Sequence, residues 1–347
     1  MNIFAFNKDI KLLESCIEQI KDAEPDSLIM SDLGIINLVR RYMPDTPLHV
    51  STQTSTLNYE AVKFWQDYGA TRVILGREVN ISDMAEIKQK VPNIELEVFV
   101  HGAQCVSFSG RCLISDYMTD GERKANQGNC CQPCRWSYKL VEETRPGQYY
   151  EIEQNERGTH IMSTKDLCLV NHLSKLIDAG VDSLKVEGRT KSLYYVSAVA
   201  KTYRNAIDTV YENRNADMTP FFNELLKVGN RGYTTGFYLG DGEYPNDGYS
   251  YDISKGLAGA DFLCEIHDKV DDYYKIKTKN KFYINNDVEL ISPSEQFVTR
   301  AIGMKDLSGE QKEFANTNDE LLVKFDKEIV DYKYGIVRTV GIKEYEN

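Results

Sequence analysis

The chain has 347 residues, more than one hydrophobic core usually serves, so its length predicts a large domain and a smaller one. Its formal net charge of -12 argues against strong nonspecific binding to a phosphate backbone, which depends on Lys and Arg. The first residues read MNIFAFNKDIKLL, in which a charge interrupts the apolar run, so they predict neither a signal peptide nor a membrane-spanning helix. We therefore expect a cytoplasmic protein without membrane contact, in a compartment where structural disulfides are rare.

The first two hundred residues alternate between short apolar runs and amphipathic segments. Strands are predicted at residues 3–6, 27–30, 48–51, 72–75, 96–100 and 183–186. Apolar residues recur at helical spacing in the segments between them, which predicts helices at residues 9–20, 57–68, 81–90, 166–179 and 192–212. Strands that alternate with helices in this way indicate a parallel sheet.

The expected fold class is α/β, with a TIM-like parallel βα barrel. A complete barrel of this kind has eight strands, and only six are found here, the first of them at the start of the chain. Two alternatives therefore stay open: an open sheet, or a barrel without its first two strand–helix units.

The pattern changes after residue 240, where long helices stop and short β-rich segments follow one another. These segments lie at residues 261–266, 273–278, 287–292, 297–304, 320–325 and 335–340. We expect a partial βα barrel over residues 1–240, with an inserted cysteine-rich segment at 102–136. A linker at 241–260 and a small antiparallel β-barrel domain at 261–347 complete the prediction.

Five of the eight cysteines lie between residues 101 and 136, in a segment too rich in Gly, Asn, Gln and Arg to belong to a core. In a reducing compartment, clustered thiolates indicate a metal site or a redox group rather than disulfides. Zinc sites usually present paired C-x2-C knuckles, and only Cys131 and Cys134 form one. The wider spacing favours a [4Fe-4S] cluster, with zinc and unligated redox thiols as alternatives.

In a βα barrel, functional side chains stand at the carboxyl ends of the strands. The residues predicted there are Gln53, His101, Glu187 and Arg189, and the cysteine segment leaves the end of the strand at 96–100. Cys168 is expected at the start of the helix at 166–179, near the same rim. Distant thiols are therefore predicted to meet at one end of the sheet.

Five motifs, in this order along the chain, resemble those of the collagenase-like U32 peptidase family. They are GRCLISDY at 110–117, NQGNCCQPCRW at 126–136, STKDLC at 163–168, VEGRTKS at 186–192 and RGYTTGFYLG at 231–240. The resemblance implies a βα barrel with an iron–sulfur cluster and oxygen-independent hydroxylation as its reaction. It further implies a tRNA wobble uridine as substrate and prephenate as co-substrate.

Members of this family usually begin with two further strand–helix units. The resemblance therefore implies that this sequence is N-terminally truncated, which agrees with the count of six strands. An open barrel exposes a sheet edge. The truncated chain is then either an inactive homologue, or one that works with a homologous or accessory subunit.

Carried over by motif, the cluster ligands fall on Cys105, Cys112, Cys130 and Cys168, and Cys134 is the spare. Prephenate is a dicarboxylate and calls for cationic partners, which the resemblance places among Arg111, Arg135, Lys185 and Arg189, with Gln53 beside them. Surface ion pairs are the alternative for these cations. His101 and Glu187 are the predicted acid–base residues, against structural hydrogen bonding as the alternative for both.

Two functional classes compete. The first is a redox enzyme that hydroxylates an RNA base, for which Lys191, Lys201, Arg204 and Arg214 form a candidate phosphate-binding stripe or simply a solvated helix face. The second is a peptidase. The chain has neither an HExxH nor a GxSxG motif, which leaves a Cys–His protease built on His101 as the form this alternative would take.

Overall fold

The computed structural model describes residues 2–105, 107–135, 154–155, 158–159, 164–240 and 258–342. The chain divides into two compact units: Met1–Glu187 with Arg231–Gly256, and Gly188–Asn230 with Leu257–Asn347. Most of the predicted linker, at residues 241–257, lies outside the described residues, and the predicted domain boundaries therefore stay a prediction.

The first unit alternates helices and strands over most of its length. Its helices are α1 (Asn7–Asp22), α2 (Leu33–Tyr42), α3 (Tyr59–Asp67), α4 (Ile81–Lys90), α5 (Ile114–Met118) and α6 (Leu173–Asp178). Its strands are β1 (Leu28–Met30), β2 (Leu48–Val50), β3 (Ala70–Ile74), β4 (Glu95–Ala103), β5 (Gln154–Asn155), β6 (Gly158–Thr159), β7 (Asp166–Cys168), β8 (Ser183–Val186) and β9 (Tyr233–Thr234). Side-chain caps begin α2, α3 and α4, where Asp32, Asn58 and Asn80 each accept a backbone N–H bond.

One sheet of seven strands forms the centre of this unit, in the order β1-β2-β3-β4-β7-β9, with β8 also paired to β4. The strands β1 to β4 and β8 run parallel, whereas β7 is antiparallel to β4. Five of the six predicted parallel strands are confirmed. Among the described residues the sheet is open, so the fold is a mixed α/β unit and a TIM barrel is not confirmed.

The predicted strand at residues 3–6 is wrong, because side chains occupy the backbone groups that a sheet would need. Asn126 pairs with both backbone groups of Phe4: Oδ1 accepts from Phe4 N at 2.8 Å, and Nδ2 donates to Phe4 O at 3.0 Å. Ala5 N and Phe6 N donate to carboxylates instead of to a neighbouring strand. The segment leads directly into α1.

The predicted helix at residues 166–179 is right only in its second half. Its first three residues form β7, which pairs Cys168 with His101 of β4 and Asp166 with Tyr233 of β9. Leu169 N then donates to Val100 O at 3.0 Å, and the helix begins only at Leu173. Pairing with strands more than sixty residues away in the chain outweighs the local helical pattern here.

The second unit contains two helices and a closed antiparallel barrel. Its helices are α7 (Leu193–Glu212) and α8 (Thr219–Leu225), and its strands are β10 (Phe262–Val270), β11 (Tyr273–Thr278), β12 (Phe282–Tyr283), β13 (Asp287–Ile291), β14 (Gln296–Asp306), β15 (Phe314–Ala315), β16 (Glu320–Phe325) and β17 (Ile336–Thr339). The barrel order is β10-β11-β16-β14-β13-β17, which confirms all six predicted β segments. Apolar side chains such as Ile276, Leu290 and Val323 fill its interior.

Two of the four cations of the predicted stripe, both on α7, are paired within this unit. Lys201 Nζ donates to the carbonyls of Ser292 and Glu295, both at 2.6 Å, and Arg204 pairs with Asp208 one turn further along the helix. These contacts favour the structural interpretation of the two cations. In the described part of the chain, no helix is long and apolar enough to cross a membrane.

Candidate functional site

The cysteine segment leaves the end of β4, and hydrogen bonds hold it at two places. Glu78, which follows β3, accepts from the backbone N of Ser109 at 2.7 Å and from its Oγ at 3.1 Å. Further along, the buried Ser115 Oγ donates to Arg123 O at 2.6 Å and accepts from Cys131 N at 3.1 Å. The first contact ties the segment to the residues after β3, and the second holds two parts of the segment to each other.

Three of the four predicted ligands share one local geometry. Cys105, Cys112 and Cys130 each accept, on Sγ, a hydrogen bond from the backbone N–H of the residue two positions further along the chain, at 3.4, 3.4 and 3.3 Å. Hydrogen bonds to the cysteine sulfurs are one of the features that set the reduction potential of an iron–sulfur cluster. The donor chemistry at these positions therefore fits an iron–sulfur cluster.

Cys131, the neighbour of Cys130, makes a different contact. Its Sγ lies 3.3 Å from Ser115 Oγ, the hydroxyl that also holds its own backbone N. This is a structural hydrogen bond that fixes the loop. It distinguishes Cys131 from the three cysteines with backbone N–H donors.

The other two candidate thiols belong to different elements of the fold. Cys168 is buried in β7 beside His101, and Cys134 lies in a short 3-10 helix, Pro133–Arg135, that packs near α5. Within the described ranges, no group of three or more His, Cys, Asp or Glu side chains converges closely enough to hold a metal ion. The four-cysteine ligand set therefore stays a prediction.

A cavity of about 710 Å³ lies beside Cys112 and brings together three predicted site residues. Gln53 and Arg111, both predicted to bind substrate, line it together with Cys112. The guanidinium of Arg111 is fixed, since its Nε and Nη2 donate to Gln53 O at 2.9 and 2.7 Å. The cavity is large enough for a small organic ligand.

The two predicted acid–base residues are neighbours through the backbone. Glu187 N donates to His101 O at 2.9 Å. The two backbones approach so closely that a Cβ at Gly102, where φ is +103°, would lie only 2.3 Å from Glu187 O, and a glycine is therefore required there. The His101 side chain is 1% exposed and its ring centroid lies 5.3 Å from that of Tyr233. Such burial favours a structural role for His101 over direct contact with substrate.

Glu187 keeps an accessible carboxylate at the carboxyl end of β8. Its side chain is 37% exposed, and its Oε2 lies 3.9 Å from Nη2 of Arg77. The Arg77 guanidinium in turn stacks 4.0 Å above the ring of Phe99. Of the two predicted acid–base residues, Glu187 is the one whose side chain a ligand can reach.

The structure places the remaining predicted cations in different surroundings. Lys185 Nζ lies 2.8 Å from Glu97 Oε1 and forms an ion pair with it on the sheet. An ion pair was the alternative to substrate binding for this lysine. Arg189 belongs to the second compact unit, and Arg135 ends the 3-10 helix that contains Cys134. Gln53 and Arg111 are thus the predicted substrate-binding residues that share one cavity, and the roles of Arg135, Lys185 and Arg189 stay a prediction.

Glu97 is the centre of a buried charge network that the sequence did not indicate. Burial opposes its ionisation, but the hydrogen bond and charge of Lys185, with Ser183 and Arg72, outweigh burial and hold the pKa of the Glu97 carboxyl below its usual value. Because the folded-state pKa is lowered, the ionised carboxylate stabilises the fold above the unfolded pKa, and this contribution is lost as the pH falls through the folded pKa.

Glu97→Gln tests this network. At pH 7 the variant is expected to lose about 1–3 kcal/mol of unfolding free energy, because it removes the charge from a set of charge-assisted hydrogen bonds. The difference between variant and wild type should shrink at an acidic pH, as the pH falls below the ordinary pKa of a glutamate and through the lowered pKa of the folded Glu97. Urea denaturation at both pH values measures it, and a deficit that does not change with pH would contradict the assignment.

A second buried ion pair, between Arg231 and Asp166, was also missed. Asp166 is 1% exposed and Arg231 is 7% exposed, and Arg231 Nε also donates to Thr164 O at 3.4 Å. Both charged residues lie inside quoted motifs, STKDLC and RGYTTGFYLG, so the motifs were the available signal. Their position joins β7 to the segment before β9 and indicates a role in holding Cys168 in place.

Comparison with known proteins identifies the family. The profile of peptidase family U32 matches residues 1–247, and that of the peptidase family U32 C-terminal domain matches residues 259–338. The chain is 36% identical to tRNA hydroxylation protein P of Escherichia coli over 89% of this chain and 76% of that protein, and 38% identical to the Haemophilus influenzae protein of the same name over 84% and 72%. A 23S rRNA 5-hydroxycytidine synthase of Escherichia coli is 36% identical over 62% of this chain and 31% of that protein. The chain therefore belongs to peptidase family U32.

Proposed function

We propose that this protein is an iron–sulfur RNA hydroxylase that modifies a tRNA wobble uridine, with prephenate as co-substrate. The observation that carries the proposal is the similarity to two proteins named for tRNA hydroxylation over more than four fifths of this chain, joined by one named for an rRNA hydroxycytidine. The shared backbone-to-sulfur geometry of Cys105, Cys112 and Cys130 supports the cofactor.

In this proposal Cys105, Cys112, Cys130 and Cys168 hold a [4Fe-4S] cluster. Such a cluster supplies electron transfer at a potential that its thiolates and their hydrogen bonds adjust. The chain itself contributes the backbone N–H donors to three of the thiols. It also contributes the Arg231–Asp166 ion pair beside β7, which fixes the backbone that carries Cys168.

The accessible side chains of the first unit perform the binding and proton-transfer steps. Arg111, held by Gln53, presents a preset guanidinium to an anionic ligand. The carboxylate of Glu187 takes or returns a proton, because it is partly exposed and lies near the charge of Arg77. The buried ring of His101 instead positions the β4–β8 junction.

The proposal also includes a βα barrel that another polypeptide completes. Strand β1 ends the sheet of described strands, and such an edge offers backbone donors and acceptors to a further strand. A homologous or accessory subunit is the partner we propose for this edge. Light scattering of the purified protein, alone and after co-expression with a family member, tests it through the mass of the complex.

Complementation tests the function. Expression in an Escherichia coli strain without its own tRNA hydroxylation proteins should restore 5-hydroxyuridine-derived nucleosides, measured by mass spectrometry of digested tRNA. Cys112→Ser should abolish the product and Cys16→Ser should keep it. A folded, iron-loaded protein that restores no hydroxylated uridine would contradict the proposal, and peptide cleavage blocked by thiol alkylation would support the peptidase alternative.

A further inference from the structure

The cavity beside Cys112 has walls of two kinds. Its apolar surfaces come from Phe4, Phe6, Leu113 and Ile114, two of them ahead of α1 and two in the cysteine segment. These side chains offer flat and branched hydrocarbon surface to a ligand. A compact ring fits a cavity of about 710 Å³ with such walls.

The polar part of the same lining is strongly cationic. Lys8, Arg111 and Lys124 line the cavity, and among the described residues none of the three forms an ion pair. Asp116 is the single carboxylate in the lining. The three cations and one carboxylate give the lining a net charge of +2, although the chain as a whole has a formal net charge of -12. The charge of the cavity is therefore complementary to that of a dianion.

Two of these groups are prepared for a ligand. Arg111 donates from Nε and Nη2 to Gln53 O, and its guanidinium lies 5.3 Å from the ring of Phe4. These contacts hold the guanidinium in place and leave its other N–H groups to donate to a carboxylate. Oδ1 of Asp116 is buried, and no described residue donates a hydrogen bond to it. As the single carboxylate of the lining, Asp116 can accept a hydrogen bond from a hydroxyl group of the ligand.

We propose that this cavity binds a small cyclic dicarboxylic acid that carries a hydroxyl group. Arg111, Lys8 and Lys124 bind its carboxylates, Phe4 and Leu113 contact its ring, and Asp116 accepts from its hydroxyl. The inference rests on the proposed function, in that it gives the dicarboxylate co-substrate a site. It adds Lys8, Lys124 and Asp116 to the binding residues, and it leaves Lys185 to its ion pair with Glu97.

Isothermal titration calorimetry of the anaerobically purified full chain with prephenate as the probe tests the site. The double variant Lys8→Gln/Lys124→Gln and the single variant Arg111→Lys are each expected to raise the Kd at least about tenfold, since a charge-assisted hydrogen bond is lost in each. Lys11→Gln is the matched control. It removes the same charge from the exposed Lys11 on α1, which does not line the cavity, and should leave the Kd unchanged.

Two further ligands complete the experiment. Phenylpyruvate, with one carboxylate, should bind more weakly than prephenate, and uridine 5′-monophosphate should not compete. Equal prephenate affinity in all variants, or tighter binding of the nucleotide, would overturn the inference. Calorimetry measures prephenate binding, whereas complementation measures RNA hydroxylation, so the two proposals can fail separately. Hydroxylation without prephenate binding in this cavity would reject the site and keep the proposed function. Prephenate binding without hydroxylation would keep the site and reject the proposed function.

Discussion

Cys112→Ser is expected to remove the iron from this protein. Anaerobically purified variant should hold less than about a tenth of the wild-type iron, because even the loss of an outer hydrogen-bonding partner costs about 10- to 100-fold in metal affinity. Cys112 is the best placed of the proposed ligands for this test. Its Sγ accepts a backbone N–H bond, and its side chain lines the cavity beside Arg111.

Two serine variants serve as controls for Cys112→Ser. Cys131→Ser changes a cysteine in the same segment whose sulfur lies against Ser115, and it should retain most of the iron. Cys16→Ser changes a cysteine of α1 and should retain all of it. Iron is measured by a colorimetric assay on protein of equal purity, and equal iron in Cys112→Ser and Cys16→Ser would reject the ligand assignment.

Arg338→Met is expected to destabilise the second compact unit by about 3–5 kcal/mol, because it removes the fully buried cation of a charge network and leaves Lys227 as the one cation paired with Glu224 and Glu289. Arg338, on β17, has a fully buried side chain. It pairs with Glu224 of α8, donates to Glu289 of β13 at 3.0 Å through Nε, and donates to Tyr194 OH of α7 at 3.3 Å. The guanidinium of Arg338 therefore links both α7 and α8 to the barrel strands β13 and β17.

Arg300→Met is the matched control for this effect. Arg300 pairs with Asp287 at 2.7 Å in the same barrel, but the two side chains are 51% and 53% exposed, and an exposed ion pair contributes little to stability. Hydrogen exchange of the peptides that cover β10 to β17 reports the local unfolding free energy in the full chain. A loss in Arg338→Met no larger than that in Arg300→Met would show that the buried network does not stabilise this unit.

The sequence predicted the elements whose signals are local. Helix α4 and strands β11 and β16 lie at the predicted residues, since an Asn cap with helical spacing, or strict alternation between turns, is visible within ten residues. The antiparallel barrel follows from six such segments in succession. The candidate cysteines were predictable for the same reason, because the U32 motifs that contain them are short segments of sequence.

The elements that depend on distant partners were not predictable. The segment at 3–6 is apolar like a strand, but Asn126 binds its backbone from more than a hundred residues away. The residues of β7 have a helical pattern, and only their pairing with β4 makes them a strand. Lys8 and Lys124 meet in one cavity for the same reason, and no spacing in the sequence indicates that they are neighbours.

The proposed function requires that the thiols of this chain hold an inorganic cluster. Iron and acid-labile sulfide, measured together on anaerobically purified wild-type protein, test this requirement. We expect about four of each per chain, as a [4Fe-4S] cluster requires. Protein that carries no sulfide, or that carries zinc in place of iron, would contradict it.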